Sequence, residues 1–324
     1  MTNTLTIGRK GGDHGSTAVA RRGRTATARP PWQEPPTTVG QAAKGLTLGG
    51  MLAVVLVPLW IIVVTSFSTP GAVNRAGGLV VWPDGLTVEP YREMLNDPTV
   101  RTSLLVSLGI TVIGTAVSMT VSVLCAYGLS RPRSLGHRFI LVLLIITMFV
   151  SGGLIPTFLV VTGLGGYDQW WALILPSAVS VFNILILRSF YSETSAELID
   201  AARMDGAGDW RILWSVVLPT SRAVTAVIAL FYAVGYWNSF FNVMLYMPTD
   251  SQKWPLQYVL LTYVNRGNGL PGSVNTGFGD THAQTAPLSL QMAVVVLTLV
   301  PLLIVYPFVQ KHFRTGVLTG AIKG

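Results

Sequence analysis

Apolar residues along this chain do not recur with the period of a surface helix or strand; they gather in long blocks. Six stretches contain no Asp, Glu, Lys or Arg: Gly45 to Asn74, Thr102 to Ser130, Phe139 to Tyr167, Gln169 to Leu187, Ala223 to Thr249 and Thr281 to Gln310. A helix that crosses a bilayer needs about 20 mostly apolar residues, because its backbone polar groups must be satisfied within the segment. The blocks predict crossing helices over 46–67, 104–127, 139–161, 170–188, 223–245 and 288–309. The fourth is the shortest and carries Pro176 and Asn183, which blurs its limits. The predicted fold class is an all-α integral membrane protein, a bundle of six transmembrane helices.

Composition supports this reading. Half of the 324 residues are hydrophobic and only 11% are charged, against about 25% in an ordinary soluble domain. The net charge of +8 does not point to nucleic acid, since seven of the 22 Lys and Arg lie in the first 44 residues and most others flank apolar blocks. With the N-terminus inside, 17 of these cations fall in interior segments and 5 in exterior loops, so both termini are predicted to be cytoplasmic. Residues 1–44 have no hydrophobic period and are predicted to form a disordered cytoplasmic tail, with attachment to anionic lipid as an alternative role. The first apolar block is too long for a signal-peptide core and lies more than 20 residues beyond Arg21-Arg22, so it is expected to be retained. Cys125 is the only cysteine, which excludes an intrachain disulfide and a Cys-based metal cluster.

The loop between the fourth and fifth spans, Arg188 to Arg222, is long and patterned. Thr194 and Glu197 form a capping box for a short helix running through Asp200, Ala201, Ala202 and Asp205. Gly206 and Gly208 supply a turn, and Asp209 is placed to cap a second helix. In that helix Trp210, Leu213, Trp214 and Val217 share one apolar face until Pro219 ends or kinks it. Such a pair of helices is suited to docking on another protein. The alternative is a pair lying on the membrane surface, which five acids against four bases disfavour.

Asp200-Ala201-Ala202, three residues, Gly206, nine residues and Val216-Val217-Leu218-Pro219 resemble the "EAA" loop of bacterial ABC importer permeases, E-A-A-x3-G-x9-I-x-L-P. Asp stands for the motif's Glu and Val for its Ile. The resemblance covers roughly residues 45–324. Lys253-Trp254-Pro255-Leu256-Gln257 and the ending from Gln310 to Gly324 are similar to the carbohydrate-uptake branch, the maltose-type and related oligosaccharide permeases. It implies that the loop 188–222 is a coupling helix seated on an ATPase subunit, with Glu197, Asp200, Ala201, Ala202, Asp205, Gly206, Leu218 and Pro219 as its coupling residues. It also implies a cytoplasmic tail, 310–324, whose end from Gly316 to Gly324 reaches toward the ATPase dimer. The partners it implies are a homologous permease subunit, two ATP-binding subunits and an extracytoplasmic sugar-binding protein. ATP and Mg would be bound by the partner ATPase, with no cofactor in this chain.

The residues themselves agree on where energy enters. No predicted span holds an Asp, Glu, Lys or Arg in its interior of the kind a gradient-driven transporter uses; Arg188 stands at the very end of the fourth. No G-x4-G-K-[ST] phosphate loop is present. The four histidines lack zinc-ligand spacing, and no H-E-x-x-H or G-x-S-x-G occurs, so enzymatic activity is not expected. The spans do carry groups suited to sugar hydroxyls and ring faces: Asn183, Tyr232, Tyr236, Trp237, Asn238, Asn242 and Gln291. Asn238 and Asn242 are four apart and would share a helix face; interhelical hydrogen bonding is the plainer role for the whole set. The resulting reading is a permease subunit that moves a carbohydrate, most simply an oligosaccharide, by alternating access across the cytoplasmic membrane. A non-sugar ABC permease, or a membrane scaffold that recruits a cytoplasmic partner, is the alternative.

Overall fold

The computed structural model describes residues 37–131, 136–193, 196–266 and 287–321, with backbone alone at 196–197, 263–266, 287 and 308–321. It divides into two units, Met1–Val55 and Leu56–Gly324. Among the described residues there are helices, turns and a single isolated bridge between Ser68 and Leu86. Helix α1, Thr38–Ser66, starts inside the segment expected to be tail, so residues 38–44 are helical; the remainder of that tail, 1–36, lies outside the described residues.

Two short helices follow, α2 at Pro70–Arg75 and α3 at Glu89–Asn96. The Asp97 side chain accepts from the N–H groups of Thr99 and Val100, and Pro98 fills the first position of α4, Pro98–Leu129. Both features satisfy or remove donors that a helix start leaves unpaired.

The third block is not one straight crossing. Helices α5, His137–Phe149, and α6, Leu154–Gly163, meet at a bend of 114°. The bend falls on Ser151-Gly152-Gly153, and Gly153 has φ +84°, a conformation only glycine adopts without strain. In the fourth block α7, Trp171–Ile174, runs into a 3₁₀ turn at Leu175–Ser177 that holds Pro176. This unit meets α8, Val181–Ser192, at 51°.

Helix α9, Ala196–Met204, precedes a second cytoplasm-predicted segment: α10 at Asp209–Ile212, a π turn at Leu213–Val217 and α11 at Leu218–Thr220. This segment stands at 87° to α12, Arg222–Trp237. Helices α13, Phe241–Tyr246, and α14, Leu256–Arg266, then lead to α15, Pro287–Ala321. The fifth span was expected to be continuous over 223–245, but the helix stops at Asn238 and restarts at Phe241. Among the described residues, helices α1, α4 and Leu288–Pro307 are each long and apolar enough to cross a membrane, and the number of spans rises to as many as six if each of three bent pairs forms one.

Helix α4 is the hub of the larger unit. Ser103, Ser107, Gly114, Ser118, Ser122 and Ala126 make a buried stripe of small residues along it, which lets neighbouring backbones approach closely. A Cβ on Gly114 would stand 2.8 Å from the Tyr236 ring of α12. Ser118 and Ser122 bond the hydroxyls of Tyr236 and Tyr232 at 2.8 and 2.7 Å, and Ser107 accepts the Leu256 N–H at 2.7 Å. Around these contacts Ile184, Leu187, Ile212, Leu213, Ile228 and Val243 are fully buried. The outer faces of α4 and α5 remain apolar and exposed, as Leu105, Val112, Phe139 and Phe149 show; these are faces suited to lipid.

Candidate coupling loop and pathway residues

Hydrogen bonding closes α9 with a specific cap. The Ala207 N–H bonds the Ala202 carbonyl at 2.9 Å, and the Gly206 N–H bonds the Arg203 carbonyl at 2.9 Å. This pair of bonds, with Gly206 at φ +77°, is the Schellman arrangement, which requires a left-handed residue at the position Gly206 holds. Gly208 is not part of the left-handed turn: it is extended at φ −72°, and it, not Asp209, occupies the cap position of α10. The proposed capping box at Thr194 and Glu197 lies outside the described residues and side chains.

The cap divides α9 into two faces. Ile199, Ala202 and Ala207 pack on the main core, whereas Leu198, Asp200, Ala201, Met204 and Asp205 are exposed, Met204 by 89%. Neither Asp200 nor Asp205 has an ion pair among the described residues. Asp209 does: its carboxylate lies 3.8 Å from the Arg131 guanidinium and 3.7 Å from that of Arg203.

Arg131 is the pivot of a clamp that the sequence reading did not identify. Its guanidinium donates to the Tyr127 hydroxyl and lies 4.6 Å from the centre of that ring. The Tyr127 hydroxyl donates in turn to the Asp209 carbonyl at 2.9 Å. From α8, the Arg188 Nε donates to the Leu129 carbonyl at 2.9 Å and satisfies an end of α4. The start of α10 is thereby tied to the end of α4. Tyrosine and arginine at 127 and 131, one turn apart where an apolar block ends, were the available signal.

Pro219 does not interrupt the second helix where it stands, but the helical run Asp209–Thr220 ends one residue after it and turns by 87° into α12, as expected of a proline there. The π turn bonds the Leu218 N–H to the Leu213 carbonyl, and the extra residue makes room where a proline interrupts the i→i−4 ladder. The expected apolar face is divided. Leu213 and Val217 are buried with Ile212, but Trp210 and Trp214 are 63% and 66% exposed. Leu218 packs partly on the core and Pro219 is exposed.

The pathway candidates separate in a similar way. Tyr232, Tyr236 and Trp237 are buried, and their polar groups are committed to protein partners. The Tyr236 hydroxyl donates to the Ile174 carbonyl at 3.1 Å, Tyr232 accepts the Ser180 N–H at 3.2 Å, and Trp237 donates to the Thr298 carbonyl at 3.1 Å. Asn183 is buried on α8, and Gln291 is half-buried on α15. Asn238 and Asn242 do not share a helix face, because the break separates them: Asn238 is exposed and bonds the Val234 carbonyl at 2.9 Å, and Asn242 reaches the Ser177 hydroxyl at 3.4 Å. At the same end of the bundle, the Lys253 amine donates to the Asp168 carbonyl at 3.3 Å and Trp254 donates to the Met247 carbonyl at 2.7 Å. That stretch folds its own connection and ties it to the α6–α7 loop.

Residues 118–319 match the family model described as binding-protein-dependent transport system inner membrane component. The chain is 42% identical over 276 residues to the polygalacturonan/rhamnogalacturonan transport system permease protein YtcP of Bacillus subtilis, covering 85% of this chain and 95% of that one. It is 40% identical to protein LplC of the same organism, over 86% of this chain and 93% of that one. Among solved structures, it is similar to a chain of a bacterial ABC transporter involved in the import of the acidic polysaccharide alginate, with a TM-score of 0.80, 30% identity and coverage of 88% of this chain and all of that one.

Proposed function

Since the chain belongs to the family of binding-protein-dependent transport system inner membrane components, we propose that it is the permease subunit of an ATP-driven importer of oligosaccharides. The observation that carries the coupling role is α9: capped at Gly206, packed through Ala202 and leaving Leu198, Asp200, Ala201, Met204 and Asp205 at the surface. That face receives a separate ATPase subunit, which binds the ATP and Mg. Two such subunits, a homologous permease and a sugar-binding protein outside the membrane complete the importer, and both termini of this chain are cytoplasmic.

The clamp of Tyr127, Arg131 and Asp209 gives the motor a handle on the bundle. When the ATPase closes, α9 moves; the clamp carries that displacement to α4, and the stripe that packs α4 on α12 carries it through the core. The bundle then presents its cavity to one side and then the other. Asn238 and Asn242, at the break after α12, are the pathway candidates nearest to free, with Asn183 and Gln291 as further amide partners. Tyr232, Tyr236 and Trp237 shape the wall behind them.

A relative named for polygalacturonan and rhamnogalacturonan supports the sugar class. The test is uptake of galacturonate and alginate oligosaccharides by the complex reconstituted with its binding protein and ATPase. ATP-dependent uptake that Gly206→Pro abolishes, with membrane insertion intact, is the expected result. Uptake that survives this change removes the coupling role, and uptake of none of these sugars removes the substrate class.

A further inference from the structure

The segment after Gly206 holds two exposed tryptophans that the coupling role does not use. Trp210 and Trp214 lie on α10 and the π turn that follows it, while Ile212, Leu213 and Val217 fill the core behind them. The helical stretch Asp209–Thr220 stands at 87° to Arg222–Trp237. Arg222 opens α12, and everything from Ala223 to Thr249 lacks Asp, Glu, Lys and Arg. Helix α12, with α13 beyond the break, therefore supplies the crossing, and the membrane boundary falls near Arg222. A helix perpendicular to α12 at that level lies in the plane of the headgroups.

Charge separates along the loop in the same sense. All five acids of 188–222 lie at or before Asp209; from Trp210 to Arg222 there are two arginines and no acid. The count over the whole loop, which disfavours a membrane-surface role, conceals two halves of different character. Tryptophan flanked by arginine, on the outer face of an in-plane helix, is the composition of an interfacial anchor.

We propose that Trp210 and Trp214 insert into the headgroup boundary of the bilayer and hold the α10–α11 segment in the membrane plane, while α9 alone faces water. The proposal does not depend on which solute is carried. The anchor sets the pivot: α9 swings about a segment whose depth is fixed by lipid on one face and by α4 on the other.

The test uses the full complex in vesicles of phosphatidylcholine and phosphatidylglycerol, with lipids brominated either near the glycerol end of the acyl chain or near its terminus. Emission from the pair is taken as the difference between the wild-type complex and W210F/W214F, and the two single Phe variants are read separately if the double variant fails to assemble. The expected result is a loss of about twofold in that difference with the shallow bromines, and a smaller loss with the deep ones, as interfacial tryptophan requires. No quenching by either lipid overturns the proposal. So does access to aqueous acrylamide that appears only when the ATPase subunits are stripped, which assigns the pair to that partner. Deeper quenching than shallow also overturns it, because the segment would then lie within the hydrocarbon.

Discussion

The hydroxyl of Tyr236 donates to the backbone carbonyl of Ile174 at 3.1 Å, and that carbonyl lies where α7 gives way to the 3₁₀ turn before α8. A helix broken inside a membrane frees backbone groups that neighbouring side chains have to satisfy. Tyr236 meets this carbonyl and also bonds Ser118, while Tyr232 accepts the freed Ser180 N–H. Tyr236→Phe keeps the ring and removes both bonds. It should destabilise the bundle by about 1–3 kcal/mol, the cost of a buried group left without its partner, read as a lower midpoint of denaturant unfolding in detergent. An unchanged midpoint would mean that the carbonyl finds another donor.

Gly114 faces the same ring. Its Cβ would lie 2.8 Å from Tyr236 atoms, well inside normal contact, so α4 or α12 must shift if one is added. Gly114→Ala is predicted to destabilise by about 1–3 kcal/mol, as overpacking does. In a Tyr236→Leu background the same change should cost much less, and the double-mutant cycle measures the difference. Equal costs in both backgrounds would place the strain elsewhere.

These contacts show what could be read before the structure. The six apolar blocks and the spacing around Gly206 are one-dimensional signals, and α4, α9 and the Schellman cap follow them. The breaks were harder. Gly152-Gly153 and Pro176 were visible as residues, but hydropathy averages over them, and the bend of 114° depends on how α5 and α6 pack afterwards. The stop at Asn238 carries no breaker residue, and tertiary contact of α13 with α6 and α7 decides it. The face assigned to Trp210, Leu213, Trp214 and Val217 assumed a period of 3.6, which the π turn at Leu213–Val217 violates. Arg131 and Tyr127 escaped because their partner Asp209 is distant in sequence.

The Arg131 clamp separates stability from coupling. Asp209 is 71% exposed on its side chain and Arg203 50%, so the ion pairs contribute well under 1 kcal/mol to folding. Asp209→Asn should leave the unfolding midpoint nearly unchanged. In the reconstituted importer it should lower solute moved per ATP about threefold, within the ~0.5–2 kcal/mol that residues linking two sites carry. ATP hydrolysis and transport falling together by the same factor would argue against a coupling role for this clamp.

Gly206 offers the sharpest discrimination between a backbone requirement and a docking contact. Nothing lies within 4 Å of a Cβ built on it, and its φ is +77°. A side chain there meets no steric obstacle within this chain, so any cost comes from the left-handed backbone, about 1–2 kcal/mol for most residues and less for asparagine. If the Schellman cap is what orients α9, transport should decline in the order Gly, Asn, Ala, Val, since asparagine tolerates the conformation and a β-branched residue resists it most. If the ATPase instead packs against the bare glycine surface, size decides, and Ala should outperform Asn. Initial rates of ATP-dependent uptake for Gly206→Asn and Gly206→Ala, at matched levels of membrane-inserted protein, distinguish the two orders. Rates above those of Ala for the Asn variant assign the glycine to the backbone turn; the reverse order assigns it to the partner's surface.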